Sequence, residues 1–401
     1  MVQFKAMNYI LFDDHPTWKK LLPLTFTRPV SELRTGILSI REKWERMLTS
    51  SCSWLTQPHL REKYPVITAG VNVLIDSSLL PDKQLLDAVI SMKPGSCLVA
   101  KGRLIACCLD GKGLENFTGN GTGPEKRTEY GADPECISGP WDLFSRNAGA
   151  IESDIALLTS GRKSHPLNET NTIIGPGRVF AEEGVAMDGV TLNVRKGTIY
   201  LGRDSEVMEG SVIRGPFALG EHSVIKMNAK IYGPVTIGPH SKAGGEISNS
   251  VLLGYSNKAH DGFLGNSVVG EWCNIGAGSN NSNLKNNYTT VRMWSYEEEK
   301  FIETGRQFMG LVMGDHSKCG INTMFNTGTT VGVFANIFGS GFPRNFIPSF
   351  SWGGPAGFTT YRLEKAFEVA EKVMERRKTG FGKVERDILE SVFRMTSKYR
   401  R

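Results

Sequence analysis

The sequence predicts two unlike parts: an α/β domain over residues 1–165, and a left-handed parallel β-helix of hexapeptide repeats over 172–342. An extended segment and a helical tail follow over 343–401. Three observations carry this reading. In the first part, short apolar runs alternate with segments of helical period. Glycine is abundant, 45 of 401 residues, and is concentrated between residues 170 and 360. Within that stretch an aliphatic residue followed by glycine recurs about every six residues. Examples are Ile174-Gly175, Leu219-Gly220, Ile237-Gly238, Leu253-Gly254, Val269-Gly270 and Ile275-Gly276, resuming at Val331-Gly332.

Residues 7–14 open the α/β part as a buried strand. Residues 31–48 place Leu33, Ile37, Ile40, Trp44 and Leu48 at helical spacing, and 71–75 form a short apolar strand. A helix over 82–92 turns Leu85, Leu86, Val89 and Ile90 inward and ends at Pro94-Gly95. Leu98–Ala100 and Leu104–Leu109 form a hairpin around Lys101-Gly102. Residues 111–135, with Gly111, Gly113, Gly119, Gly121 and Gly123, are expected as an exposed loop. A helix runs from Trp141 to about Leu158, and 160–171 is a polar connector.

The six-residue beat means one short strand and one turn per unit. The aliphatic side chain points into a three-sided prism, and Gly or Asn permits a positive backbone angle at the corner. A sandwich or barrel, with turns every 8–12 residues, would show longer alternating strands. The beat breaks over 284–313, where Thr290–Trp294 and Lys300–Glu303 flank the polar 295–299 as an inserted hairpin. Residues 344–355 are an extended exit. Residues 359–397 form amphipathic helices interrupted at Gly380-Phe381-Gly382. Flat prism faces pack well on one another, so a homotrimer with sites between subunits is expected.

The formal charge of +6 is mild. Its excess gathers in the tail at Arg376, Arg377, Lys378, Lys398, Arg400 and Arg401 and is expected on solvated helix ends, with no nucleic acid and no membrane as partner. The seven cysteines show no CxxC spacing, neither a zinc site nor a disulfide framework, which fits a reducing cytoplasm. The opening residues lack a basic region followed by an apolar core, so no signal peptide is expected, and no apolar run is long enough to cross a bilayer.

Two constellations carry chemistry. The first runs from Lys258-Ala259-His260-Asp261-Gly262 through Asn274-Ile275-Gly276-Ala277-Gly278 to Asn283-Leu284. A neutral histidine can take a proton from an attacking amine near neutral pH, and amides or backbone N–H groups can hold a developing oxyanion. The second is N-terminal: Phe12–Lys20, then Leu22-Pro23-Leu24-Thr25-Phe26-Thr27-Arg28-Pro29, Leu33 and Gly36–Ile40, with Leu74-Ile75-Asp76 further on.

The stretch from Glu246 through His260 to Gly278 resembles the acetyltransferase half of the bifunctional glucosamine-1-phosphate acetyltransferase/UDP-N-acetylglucosamine pyrophosphorylase family. Asn283-Leu284-Lys285, Thr304-Gly305-Arg306, Gly314-Asp315 and Gly320-Ile321-Asn322 resemble its archaeal-type sugar-1-phosphate nucleotidylyltransferase/acetyltransferases. The resemblance implies that His260 is the general base, that Asn274 and Asn283 orient an amino sugar, and that Ala277 meets acetyl-CoA through its backbone. Three positions depart from the pattern. Ser248 and Asn257 stand where the family has lysines, the first of which holds the sugar phosphate, and Phe263 replaces a sugar-contacting tyrosine. Lys226, Lys230 and Arg292 are candidate substitutes for the missing cation.

The N-terminal constellation resembles the opening of sugar nucleotidylyltransferases. Here the phosphate-cradling loop lacks glycine, and Val30 replaces the lysine after the proline. The resemblance implies a nucleotidyltransferase-like domain in which Asp76 is the Mg²⁺ ligand; in place of the family's loop and lysine, Arg28, Arg34, Lys19 and Lys20 are candidates to meet phosphate. The expected function is amino-sugar nucleotide synthesis: acetyl-CoA-dependent N-acetylation of an amino-sugar phosphate, NTP-dependent nucleotidylyl transfer to a sugar 1-phosphate, or both. Two alternatives stand beside it. One is nucleotidylyl transfer alone with the β-helix for trimerisation; the other is a non-catalytic sugar-nucleotide scaffold.

Overall fold

The structure, a computed structural model, describes residues 7–117 and 126–400. Gly119, Gly121, Gly123 and Arg401 lie outside them. The chain forms two compact units. The first comprises 1–21, 28–33 and 38–139, and the second 22–27, 34–37 and 140–401. The helices of 142–159 therefore group with the second unit.

The first unit is built on one sheet in the order β2-β1-β3-β5-β4-β6. Its strands are β1 (Asn8–Phe12), β2 (Cys52–Leu55), β3 (Val71–Asp76), β4 (Ser96–Ala100), β5 (Arg103–Asp110) and β6 (Lys126–Glu129). β1 pairs in parallel with β2 and β3, while β3–β5 and β4–β5 are antiparallel. Ile10, Phe12, Leu74, Cys97 and Cys107 form a buried cluster on this sheet. The helices are α1 (His15–Lys20), α2 (Ile40–Leu48), α3 (Lys83–Ile90) and α4 (Gly111–Glu115).

Several expectations change here. The helix read over 31–48 is confined to 40–48, because Ser39 and Glu42 close a capping box at its start and leave Leu33 and Ile37 on irregular chain. In α3 only Leu85 and Val89 are buried, and Ile90 is exposed. The stretch 111–135 carries α4 and the edge strand β6 rather than loop alone. The hairpin register sets Cys97 opposite Cys107, with Cα atoms 4.2 Å apart, and the two are joined as a disulfide. The expectation of no disulfide framework is thus amended by this one pair. Spacing of ten residues means nothing until the turn fixes the register.

The second unit is a parallel β-helix with three stacked faces. One face carries Thr191–Asn193, Val212–Arg214, Lys230–Tyr232 and Glu246–Ser248, and a second carries Ile199–Leu201, Phe217–Leu219 and Val235–Ile237. The third carries Glu206–Val207, Val224–Ile225, Lys242–Ala243 and Asn257–Lys258, and continues through Asn274–Ile275, Lys318–Cys319 and Asn336–Ile337 to Ser351–Gly354. The stacking thus reaches past 342: Phe346–Ile347 and Ser351–Gly354 are further parallel rungs of the segment read as an extended exit. Leu192, Ile213, Ile231, Ile247, Leu219, Ile237, Val207, Ile225 and Ile275 fill the prism. Helices α5 (Asp142–Ser145) and α6 (Asn147–Thr159) precede it, and Ile151 and Ile155 of α6 pack on Phe180, Tyr200 and Ala218 of the second face.

Gly175 takes the expected positive φ of 108°, but most of the other repeat glycines act differently from the sequence reading. Gly238 has ordinary backbone angles, but a Cβ there would lie 2.1 Å from the Leu253 carbonyl oxygen of the next coil. Such glycines let coils approach. Positive φ falls instead on Gly245, Gly262 and Asn228 at the corner after the third face.

The corner before that face holds something the beat concealed. His222, His240, Tyr255, Trp272, His316, Phe334 and Phe350 all have φ between 53° and 61°. Their rings stack in one column with centroid spacings of 4.3–6.2 Å. A non-glycine residue in this conformation costs on the order of 1 kcal/mol, and an aromatic pair returns about that much. Each ring is followed by a small residue: Ser223, Ser241, Ser256, Cys273, Ser317, Ala335 or Ser351. The Ser223 hydroxyl accepts from the Ser241 N–H, and Ser256 from the Cys273 N–H.

Two antiparallel strands, Arg292–Ser295 and Lys300–Glu303, form the inserted hairpin. The tail folds as α7 (Leu363–Glu375) and α8 (Lys383–Met395), broken around Gly380–Gly382 as the sequence indicates. Among the described residues no helix is long and apolar enough to cross a membrane.

Candidate functional site

The His260 corner is built by coil periodicity. Asn257 and Asn274 are paired neighbours on the third face, 17 residues apart, and the Asn257 Nδ2 donates to Asn274 Oδ1 at 2.7 Å. The same spacing carries on around the coil. The Gly278 N–H donates to the Asp261 carbonyl, the Phe263 N–H to Asn280 Oδ1, and Asn283 Nδ2 to Asn266 Oδ1 at 2.7 Å. His260 and Ala277 therefore occupy one corner on consecutive coils. Asn274 lies on the face leading into that corner, and Asn283 beyond the face leading out of it. His260 is exposed, whereas Asn274, Ala277 and Asn283 are partly buried.

Beneath this corner sits a residue the sequence reading passed over. Lys258 occupies an inward position in register with Ala243, on a column that also holds Val207, Ile225, Ile275, Cys319 and Ile337. It is 2% exposed. Its Nζ donates to the His260 carbonyl oxygen at 2.5 Å. Burial pushes its ammonium down to about 8, partly offset by Asp261. The signal was available, since Lys258 falls where the beat requires an aliphatic residue. Of the candidate cations, Lys226 is at the same corner: Gly244 stacks between its Cβ and the Ala259 carbonyl. Arg292 lies on the inserted hairpin.

In the first unit the two aspartates are buried and already partnered. Asp13 Oδ1 accepts from the Val30 N–H at 3.0 Å and the Ser77 hydroxyl at 2.6 Å, and Oδ2 accepts from Thr56. Burial, helped by nearby Asp76, raises its carboxyl to about 6 against these bonds. Asp76 Oδ1 accepts from the Ser78 N–H and hydroxyl, at 2.9 and 2.8 Å, and Oδ2 takes Arg103 Nε and Nη2, at 3.0 and 2.6 Å. Burial pushes the Asp76 carboxyl up, against the pull of Arg103.

These residues do not fit Mg²⁺. Both Asp76 oxygens are saturated and a guanidinium stands where the ion would need to be. Among the described residues no group of three or more His, Cys, Asp and Glu could hold a metal. The loop after β1 is also unsuited to phosphate, because Asp14 caps α1, accepting from the Thr17 N–H and hydroxyl. Its charge would repel an anion there. Lys19 lies in the last turn of α1 and Arg28 is buried, both in the first unit. Arg34 belongs to the second unit and donates to the Leu253 and Ile37 carbonyls.

Residues 9–163 match the sequence profile of the sugar nucleotidyl transferase family. That segment is similar to sugar nucleotidyl transferase domains. A bifunctional sugar-1-phosphate nucleotidylyltransferase/acetyltransferase of Sulfurisphaera tokodaii is 33% identical over 145 residues, 36% of each chain. The bifunctional protein GlmU of Methanococcus aeolicus is 33% identical over 87 residues, 22% of this chain and 20% of that one. The chain thus spans about a third or less of the length of these curated relatives. Among solved structures, Arabidopsis UDP-N-acetylglucosamine acyltransferase covers 54% of this chain and 80% of its own, at 16% identity and TM-score 0.25. The Bacteroides fragilis counterpart covers 58% and 83%, at 13% identity and TM-score 0.28. The family segment extends through α5 and α6, which pack with the β-helix unit.

Proposed function

We propose that this chain is a transferase of amino-sugar nucleotide synthesis that moves an acetyl group from acetyl-CoA to the amine of an amino-sugar phosphate at the His260 corner. One observation carries the reading: the 17-residue coil sets His260 beside Ala277, with Asn274 and Asn283 on the same turn. His260 takes a proton as the acceptor nitrogen attacks the thioester carbonyl. The C–N bond forms, the C–S bond breaks, and the sulfur leaves as a thiolate that recovers the proton. The Asn274 Nδ2 and Asn283 Oδ1 atoms hold the sugar, and Lys226 pairs with its phosphate. The backbone at Ala277 faces the acyl donor. A homotrimer would bring a second subunit's face to this exposed corner.

A second reading applies to the first unit, favoured by the Asp76–Arg103 pair and the Asp14 cap: it is a non-catalytic scaffold without metal-dependent nucleotidylyl transfer. The test is release of free thiol from acetyl-CoA across a panel of amino-sugar phosphates. His260→Ala should lower turnover by about 100-fold or more while acetyl-CoA still binds. Wild-type turnover in that variant removes His260 as the base.

A further inference from the structure

A cavity of about 590 Å³ lies between the inserted hairpin and the last coils. It belongs to a different corner from His260. Thr327 and Asn345, which line it, precede rungs of the second face, and Asn345 Nδ2 donates to the Thr327 carbonyl at 2.9 Å. Its walls combine three cations, Lys285, Arg292 and Arg344, with three aromatic rings, Phe301, Phe346 and Tyr399.

The cations are held in place mostly without being neutralised. Lys285 Nζ donates to the Thr290 carbonyl at 2.6 Å, and the Arg344 guanidinium lies 5.3 Å from the centre of the Phe358 ring. Neither is paired with a carboxylate among the described residues. Arg292 donates to the Phe301 carbonyl at 3.0 Å and lies 3.8 Å from Glu303. The rings are fixed too. Trp294 stacks on Phe346 at 4.2 Å, and Tyr399 meets Phe346 edge-on at 5.7 Å. Cations awaiting an anion, beside a rigid aromatic wall, match a ligand with clustered negative charge and a flat ring. The volume lies in the range of small-molecule sites, about 300–1,000 Å³.

We propose that this cavity binds the nucleoside diphosphate portion of a ligand, with the diphosphate on Lys285, Arg292 and Arg344 and the base against the aromatic wall. The site does not depend on the role of His260. Two ligands carry this chemistry, coenzyme A and a uridine-diphosphate sugar. Calorimetric titration of the full chain with coenzyme A and with UDP-N-acetylglucosamine distinguishes them, the tighter binder being the natural source.

Binding of either should weaken at least tenfold in Lys285→Ala and in Arg344→Ala, and stay unchanged in Lys83→Ala, an exposed lysine of α3 paired only with Asp87. Phe301→Ala should weaken the nucleotides but not inorganic pyrophosphate. Three results overturn the proposal: neither nucleotide binds, the cation variants bind as wild type does, or pyrophosphate binds as tightly as the nucleotides. Circular dichroism of each variant checks that the coil is retained. Because no acetyl transfer is measured, failure here leaves the His260 reading standing, and failure of that reading leaves this one.

Discussion

Lys258 faces into an aliphatic prism and spends its ammonium on one carbonyl, that of His260. Its folded pKa, about 8, lies below the ordinary lysine value of 10.5. The unfolded chain therefore binds more protons between these values, and stability rises with pH across that window. The cost is full below pH 8 and gone above 10.5. Lys258→Met keeps the length and removes the charge, so it should stabilise the protein at pH 7 by on the order of 2 kcal/mol. That gain should shrink to nothing by pH 10.5 in urea unfolding. If the lysine fixes the corner, the variant should also show faster amide exchange at 259–262 and a lower kcat with little change in KM. A variant no more stable at pH 7 than at pH 10.5 would contradict the account. At Asp76 the logic reverses. Arg103→Ala leaves a buried carboxylate without its cation and should cost about 3 kcal/mol. Asp76→Asn added to it should restore most of that loss, read as a double-mutant cycle of unfolding midpoints.

At the scale of elements, the aromatic column makes an unusual prediction. Trp272 sits at φ 61° and is 7% exposed. Losing its stacking on Tyr255 should destabilise by about 3 kcal/mol in Trp272→Ala. Glycine tolerates the backbone angle that alanine resists, so Trp272→Gly should be the milder change by about 1 kcal/mol. This inverts the usual order, and urea midpoints of the two variants check it. The column was legible in principle: a ring followed by a small residue repeats at His222-Ser223, His240-Ser241, Tyr255-Ser256 and Trp272-Cys273. It was hidden because spacings of 18, 15 and 17 residues blur a six-residue beat. The same slippage concealed Lys258, since a one-residue shift turns an inward side chain outward.

At the scale of the whole molecule, the two units make opposite expectations. With acetyl-CoA and an acceptor, thiol release should proceed without nucleoside triphosphate. With triphosphate, sugar 1-phosphate and Mg²⁺, pyrophosphate release should stay at background, because Arg103 and Ser78 occupy Asp76. Metal-dependent pyrophosphate release would show that the Asp76 pair opens and that the first unit turns over.

The sequence by itself determined what is local and periodic: the alternation of strands and helices, the hexapeptide beat, the hairpin that interrupts it and the broken helical tail. It also placed His260, Asn274, Ala277 and Asn283 in an order that one coil can bring together. The tertiary structure decided what depends on register between distant segments. It gave Asp76 to Arg103, joined Cys97 to Cys107, turned Lys258 inward and assembled a cationic cavity from the hairpin, the last coils and the chain's final turn. Local pattern fixes which face of an element is apolar. Only the closed packing of those faces fixes which charged side chains meet.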